Sequence, residues 1–399
     1  MSTPPAPFVP RVLRPRRAAP DDAVRPTRAD INLAALRHNL RVVQRHAGAA
    51  KVWAVLKADG YGHGAPALAR TLERARVDGF CVALVEEAVE LREAGIAAPI
   101  MVMGGHYTNA YEEVLTRGFL PVVHDLGQVA AFARIVRSGE FRGPVDAHLK
   151  VDTGMARLGV TMQKLPGLVA GLAQHPEVRI RGLMTHLACA DAASPEPTAE
   201  QLRLFEEATA ILARAGVHPT ERHAANSAAL LRGQGLYDAV RPGIALFGVA
   251  PRVGDTPLTA ELKPVMRVRT EIVALRDVDA GASAGYGATW TAARPSRIAT
   301  LPMGYADGLS RHLGNRGHVL IRGKRAPIVG AVSMDMTMVD VSAVDGAALR
   351  DEVVVLGSQD GPLGKGTIGA DEIAEHAGTI PWEVLTSVSR RVPRFYRDP

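Results

Sequence analysis

Two cysteines, Cys81 and Cys189, are all that 399 residues carry. They form no C-x-x-C pair, so a disulfide framework and a cysteine-based zinc site are both excluded. So few thiols suit a reducing, cytoplasmic compartment. No apolar run reaches the roughly 18–20 residues that cross a bilayer, and no short apolar segment near the N-terminus reads as a secretory signal. Basic charge is scarce once it is located. The net charge is +6, but Arg11, Arg14, Arg16, Arg17, Arg25 and Arg28 set against Asp21 and Asp22 supply +4 of it. A nucleic-acid partner has no support outside that tail. Residues 1–28 are rich in Pro, Ala and Arg and are expected to be disordered.

The most informative stretch is Lys51-Val52-Trp53-Ala54-Val55-Leu56-Lys57-Ala58-Asp59-Gly60-Tyr61-Gly62-His63-Gly64. An apolar run, read as a buried parallel strand, ends at one lysine. A glycine-rich turn and a helix from about Ala65 follow. Lys57 thus stands at the carboxyl end of a strand, where α/β folds place their chemistry. Three readings fit. Lys57 can be a Schiff-base lysine for pyridoxal 5′-phosphate (PLP), with Tyr61 on the phosphate. Gly60–Ala65 can instead be a dinucleotide fingerprint, with Glu86 or Glu87 on the ribose. Lys57 can also be a salt-bridged lysine on a barrel rim. The three residues between strand and first glycine weaken the dinucleotide reading.

Strand and helix patterns then alternate. Strands are expected at Gly79–Leu84, Pro99–Met103, Leu120–His124, Val145–Val151, Ile180–His186, Glu221–Ala224 and Ala239–Gly248. With the Lys57 strand these make eight units, which predicts a closed (β/α)8 barrel over residues 29–262. Phosphate sites in such barrels follow strands seven and eight, here Asn226-Ser227 and Gly243-Ile244. From 263 to 399 short β-rich runs punctuated by Gly, Pro and Asp predict a separate, mainly β domain, with a helix near Ala370–Ala377.

The Lys57 motif closely resembles the cofactor-lysine motif of the PLP-dependent alanine racemases of fold type III. Further motifs extend the resemblance over roughly residues 29–397: Leu149–Gly159, Met184–Asp191, His223–Ser227, Arg241–Ile244, Ala284–Thr289, Gly304–Gly308 and Ser333–Asp335. It implies a homodimer that interconverts L- and D-alanine for peptidoglycan. By resemblance, Lys57 and Tyr286 are the two catalytic bases, one on each face of the substrate Cα. Tyr61, His186, Ser227, Arg241, Gly243 and Ile244 join Lys57 in binding the cofactor. Arg157, Tyr305 and Met334 contact substrate, Lys150 is a candidate for carbamylation, and Asp191 and Arg311 lie at the entrance. Tyr286, Tyr305 and Met334 are expected to reach the site from the other subunit, and a chain Tyr286–His186–Arg241 to tune the tyrosine. Arg241 would face the pyridine nitrogen and keep it unprotonated, favouring racemisation over transamination. No metal is implied. Ala331 and Arg390 depart from the family's frequent arginine and tyrosine at those places, which leaves room for a broader racemase acting on serine or larger substrates. A PLP-binding protein without enzymatic activity would lack the β domain, and a nicotinamide oxidoreductase would use Gly60–Ala65.

Overall fold

The computed structural model describes residues 24–106, 110–254 and 256–398. The tail expected to be disordered lies outside these residues up to position 23. Its last part does not fit the expectation. Arg25 donates to both carboxylate oxygens of Asp307 (2.7 and 3.0 Å), and Thr27 is fully buried with its hydroxyl 2.8 Å from the Pro302 carbonyl.

The first strand, β1 (Arg28–Asn32), leads into a helix, Leu33–Ala47. Asn32 caps that helix by accepting the Ala35 N–H at 2.9 Å, and Gly48 ends it at φ 63°. Leu36, Leu40 and Val43 recur at helical spacing and point into the core. The barrel strands are β2 (Lys51–Val55), β3 (Gly79–Val82), β4 (Ile100–Val102), β5 (Leu120–Val123), β6 (Val145–Asp152), β7 (Val178–Met184), β8 (Glu221–His223) and β9 (Ala239–Val240). They pair in parallel in the order β9-β2-β3-β4-β5-β6-β7-β8. Two backbone bonds draw the ends together: Asp238 N–H to Arg222 C=O (3.0 Å) and Arg241 N–H to Ala225 C=O (2.9 Å). The result is a nearly closed eight-stranded barrel. The last strand is only Ala239–Val240, because the chain turns into a short 3-10 helix at Ile244–Phe247.

The second sheet is mainly antiparallel. Its strands are β10 (Met266–Glu271), β11 (Ala274–Val278), β12 (Ser296–Leu301), β13 (His318–Ile321), β14 (Lys324–Val329), β15 (Thr337–Asp340), β16 (Glu352–Gly361), β17 (Gly364–Ile368) and β18 (Arg394–Arg397). The long run Val265–Leu275 splits into β10 and the start of β11. β1 lies in this sheet, antiparallel to β10 and parallel to β18, so the β domain is completed by residues that precede the barrel. The same sheet braces the Lys57 turn. Arg394 donates to the Gly62 carbonyl at 2.7 and 3.0 Å, and a Cβ on Gly62 would meet the Leu385 carbonyl at 2.3 Å.

Candidate active site

Lys57 leaves β2 into a turn of unusual hand. Ala58, Asp59, Gly60, Tyr61 and Gly62 have φ of 52, 57, 61, 53 and 79° in succession. Each non-glycine residue there costs about 1–2 kcal/mol, so the turn persists only where its surroundings hold it. Glu87 supplies one restraint: its carboxylate accepts the N–H of Ala58 (2.6 Å), Ala83 (2.8 Å) and Leu84 (3.1 Å). Asp59 supplies another by accepting the Ala65 N–H at 2.9 Å. His63, fully buried, donates from Nδ1 to the Gly60 and Tyr61 carbonyls (3.0 and 2.9 Å). These contacts dispose of the dinucleotide reading. Asp59 occupies the helix N-terminus where a pyrophosphate would sit, and Glu87 is committed to backbone rather than to a ribose. Phosphate at the N-terminus of the Ala65–Arg74 helix is excluded for the same reason.

Lys57 is half-buried, and its amine is held below the ordinary lysine range by burial first and then by Arg157, with Glu87 opposing. An amine so depressed is more nucleophilic at neutral pH than a surface lysine.

The residues expected to hold phosphate, after β8 and β9, lie close together. The Ser227 Oγ accepts the N–H of Gly243 (2.9 Å) and of Ala245 (3.3 Å). Ile244 itself is buried between them. A Cβ on Gly243 would stand 2.3 Å from the Tyr61 hydroxyl. Glycine is therefore required for Tyr61, Ser227 and these amides to converge.

Four cations surround His186. Its ring is pushed down to about 3 by burial, then by Arg241, Lys150, Arg157 and Lys57. Lys150 is buried and pushed down to about 8 by burial, Arg241 and Arg157, with Asp152 opposing. Arg157 sits on an exposed loop that Asp152 shapes by accepting the N–H of Gly154, Met155 and Ala156 (2.9, 2.9 and 3.1 Å). Arg241 is 3% exposed. It donates to His223 Nδ1 (2.6 Å) and to the carbonyls of His223 (2.9 Å), Thr185 (2.5 Å) and Ala224 (3.2 Å). Such an excess of positive charge over acid suits a ligand carrying a phosphate and a carboxylate.

The residues expected from the β domain stand on the surface of the chain. Tyr286, Tyr305 and Met334 are 73, 41 and 52% exposed. Their segments share one face: Tyr305 N–H bonds the Ser333 carbonyl (3.0 Å), Ala306 N–H bonds Met334 (3.0 Å), and Gly285 packs on Ala331 and Met338. Among the described residues none of the three hydrogen-bonds to Lys57, His186 or Arg241, and the chain Tyr286–His186–Arg241 is not formed within this single chain. Arg311 is exposed and donates to the Val332 carbonyl at 3.0 Å. Asp191 is exposed and borders a cleft shared with Phe247 and Trp382.

The family model for the alanine racemase N-terminal domain matches residues 31–251, and that for the C-terminal domain matches residues 265–396. The chain belongs to the alanine racemase family. An alanine racemase of Sorangium cellulosum is 61% identical over 383 residues, covering 94% of this chain and all of that one. One of Symbiobacterium thermophilum is 44% identical, covering 94% and 98%. The crystal structure of the Bartonella henselae alanine racemase with covalently bound pyridoxal phosphate superposes with a TM-score of 0.83 at 32% identity, covering 93% and 99%.

Two features of this alanine racemase fold were not singled out from sequence. One is the use of Glu87 as an acceptor for the Lys57 turn. The other is a buried pair, His148 and His223, behind Arg241. A histidine in each of the strand patterns Val145–Val151 and Glu221–Ala224 was the available signal. No helix among the described residues is long and apolar enough to cross a membrane.

Proposed function

We propose that this chain interconverts L- and D-alanine, with PLP bound in the mouth of the barrel. The observation that carries the reading is the depressed amine of Lys57 beside a cradle of Tyr61, Ser227 and the Gly243 amide, ringed by uncompensated cations. Those groups fit the cofactor: Lys57 Nζ for its aldehyde, the cradle for its phosphate, and Arg241 for its ring nitrogen. When bound, PLP supplies an aldehyde that condenses with amines and a ring that withdraws electrons from the substrate Cα.

The protein's own groups do the rest. Arg157 takes the substrate carboxylate. Lys57 Nζ, released when substrate binds, exchanges a proton with Cα on the D face. Tyr286 Oη does so on the L face, reaching the site from the partner of a homodimer, as do Tyr305 and Met334. Arg241, pushed down to about 10 by burial, stays charged at neutral pH and withholds a proton from the ring. Lys150, at about 8, keeps enough free amine at neutral pH to add carbon dioxide, releasing a proton and leaving a carbamate anion that orients Arg157. Asp191 and Arg311 guard the entrance. The setting is cytoplasmic, and the product feeds peptidoglycan.

The purified protein, loaded with PLP, is incubated with L-alanine in deuterated water while optical rotation and Cα exchange are followed. L-serine and L-arginine run beside it. Loss of rotation with alanine alone is the expected result. Comparable rates with serine or arginine would mean that Ala331 and Arg390 open the entrance and that the enzyme is a broad racemase. Exchange without racemisation would remove one of the two bases.

A further inference from the structure

We infer that His148 and His223 are positioning residues for Arg241, forming an uncharged, one-directional hydrogen-bond relay through the barrel core. The inference rests on the reading of Arg241 as the group that faces the cofactor ring.

The interior of a (β/α)8 barrel is ordinarily filled by branched apolar side chains. This one buries His148 from β6 and Glu221 and His223 from β8, at 4, 7 and 0% exposure. Polar groups so placed are costly unless bonded. The fold also makes room for one of them. His148 pairs with Gly182 on β7, and any Cβ at Gly182 would stand 2.2 Å from His148 Nδ1.

Proton positions follow from one fact: a guanidinium only donates. Arg241 Nη1 lies 2.6 Å from His223 Nδ1, so that nitrogen accepts and carries no proton. The proton of neutral His223 is then on Nε2, which donates to His148 Nδ1 at 2.7 Å. His148 in turn must carry its proton on Nε2. A second proton on His223 would aim an N–H at an N–H donor of Arg241. Burial and Arg241 push both rings well below the ordinary histidine range, in the same sense.

A ring nitrogen of each histidine and a Glu221 oxygen lie within 4.8 Å of one another, a spacing that a metal could use. Both ring nitrogens of His223 are already engaged, however. The Glu221 carboxylate is held by the Trp53 indole N–H and by Lys51, each at 2.8 Å. Glu221 is instead a distant counter-charge. Among the described residues Arg241 touches no carboxylate; its partners are one imidazole and three carbonyls. The relay therefore fixes the direction of the guanidinium without cancelling the charge it presents.

The test compares His148→Leu with His148→Asn. The asparagine carbonyl falls near the position of Nδ1 and keeps an acceptor for His223; leucine does not. Expected in PLP-loaded protein is a fall in kcat of about 10- to 100-fold for Leu, as for other outer-shell partners, with KM little changed and recovery in Asn. Nitrogen NMR of histidine-labelled protein should show His223 protonated on Nε2 alone in the wild type and in Asn; in Leu the Nε2–H loses its acceptor, and its resonance should shift. Equal kcat in the two variants, or a wild-type His223 protonated on Nδ1, would overturn the relay. The wild-type tautomer is also read without PLP, so it tests the relay even if the protein fails to bind the cofactor or to racemise, a failure that belongs to the functional reading.

Discussion

Glu87 holds the Ala58 amide at 2.6 Å, directly after the lysine on which the proposed chemistry depends. The same carboxylate grips Ala83 and Leu84 at the end of β3. It thereby staples a left-handed turn to the neighbouring strand and fixes the direction in which Lys57 leaves β2. Glu87→Ala removes the acceptor from three donors, two of them exposed, and should cost about 1 kcal/mol, the net worth of a hydrogen bond that water can partly replace. Glu87→Gln, which keeps one acceptor oxygen, should recover part of it. Chemical denaturation measures both. An alanine variant of wild-type stability would show that the turn does not need this acceptor.

Gly243→Ala places a methyl group 2.3 Å from the Tyr61 hydroxyl. The barrel should still fold, since the clash falls on a side-chain end. The cradle should open and PLP affinity fall at least about tenfold, or about 1.4 kcal/mol. Absorbance titration of the cofactor-free protein reads this. Unchanged affinity would place the phosphate elsewhere.

Acid should destabilise the cofactor-free protein steeply, through buried histidines. His63 is held down at about 4 and His148 at about 3, each mainly by burial, and His223 is held well below 6.5. Their folded forms stay neutral where the unfolded chain takes up protons. Stability is therefore full above about pH 6.5 and falls as pH drops toward about 3–4. Each ring contributes up to about 1.4 kcal/mol per pH unit. Denaturation midpoints across that window measure the slope. A flat profile would mean that these rings are protonated in the fold.

Much of this site could be read from the chain, because its key residues sit at strand ends that local pattern identifies. Lys57 closes an apolar run. Ser227 and Gly243 follow the last two strands, where a barrel gathers anions. What local pattern does not carry is register between distant strands. That β1 joins β10 and β18 in the second sheet, and that His148 meets His223 inside the barrel, depends on pairings between segments far apart in the chain. The role of Glu87 was hidden for a similar reason: its partner Ala58 lies 29 residues away on another unit. That Tyr286, Tyr305 and Met334 would serve a second subunit's site was an expectation from family resemblance alone, since no local pattern marks them; on this chain they are exposed.

Lys57→Ala should abolish the absorbance of bound cofactor. Tyr286→Phe should keep that absorbance but slow conversion from L-alanine. Wild-type absorbance in the first variant, or unchanged rates in both directions in the second, would withdraw the residue from its role.

Mixing these two impaired proteins tests most directly whether Lys57 and Tyr286 meet in one site across a homodimer. If they do, a mixed dimer has one site with both bases intact, and random exchange should restore about a quarter of wild-type racemisation. If each protomer instead used its own Lys57 and Tyr286, the mixed dimer would hold no complete site. No activity after proven subunit exchange would contradict the account.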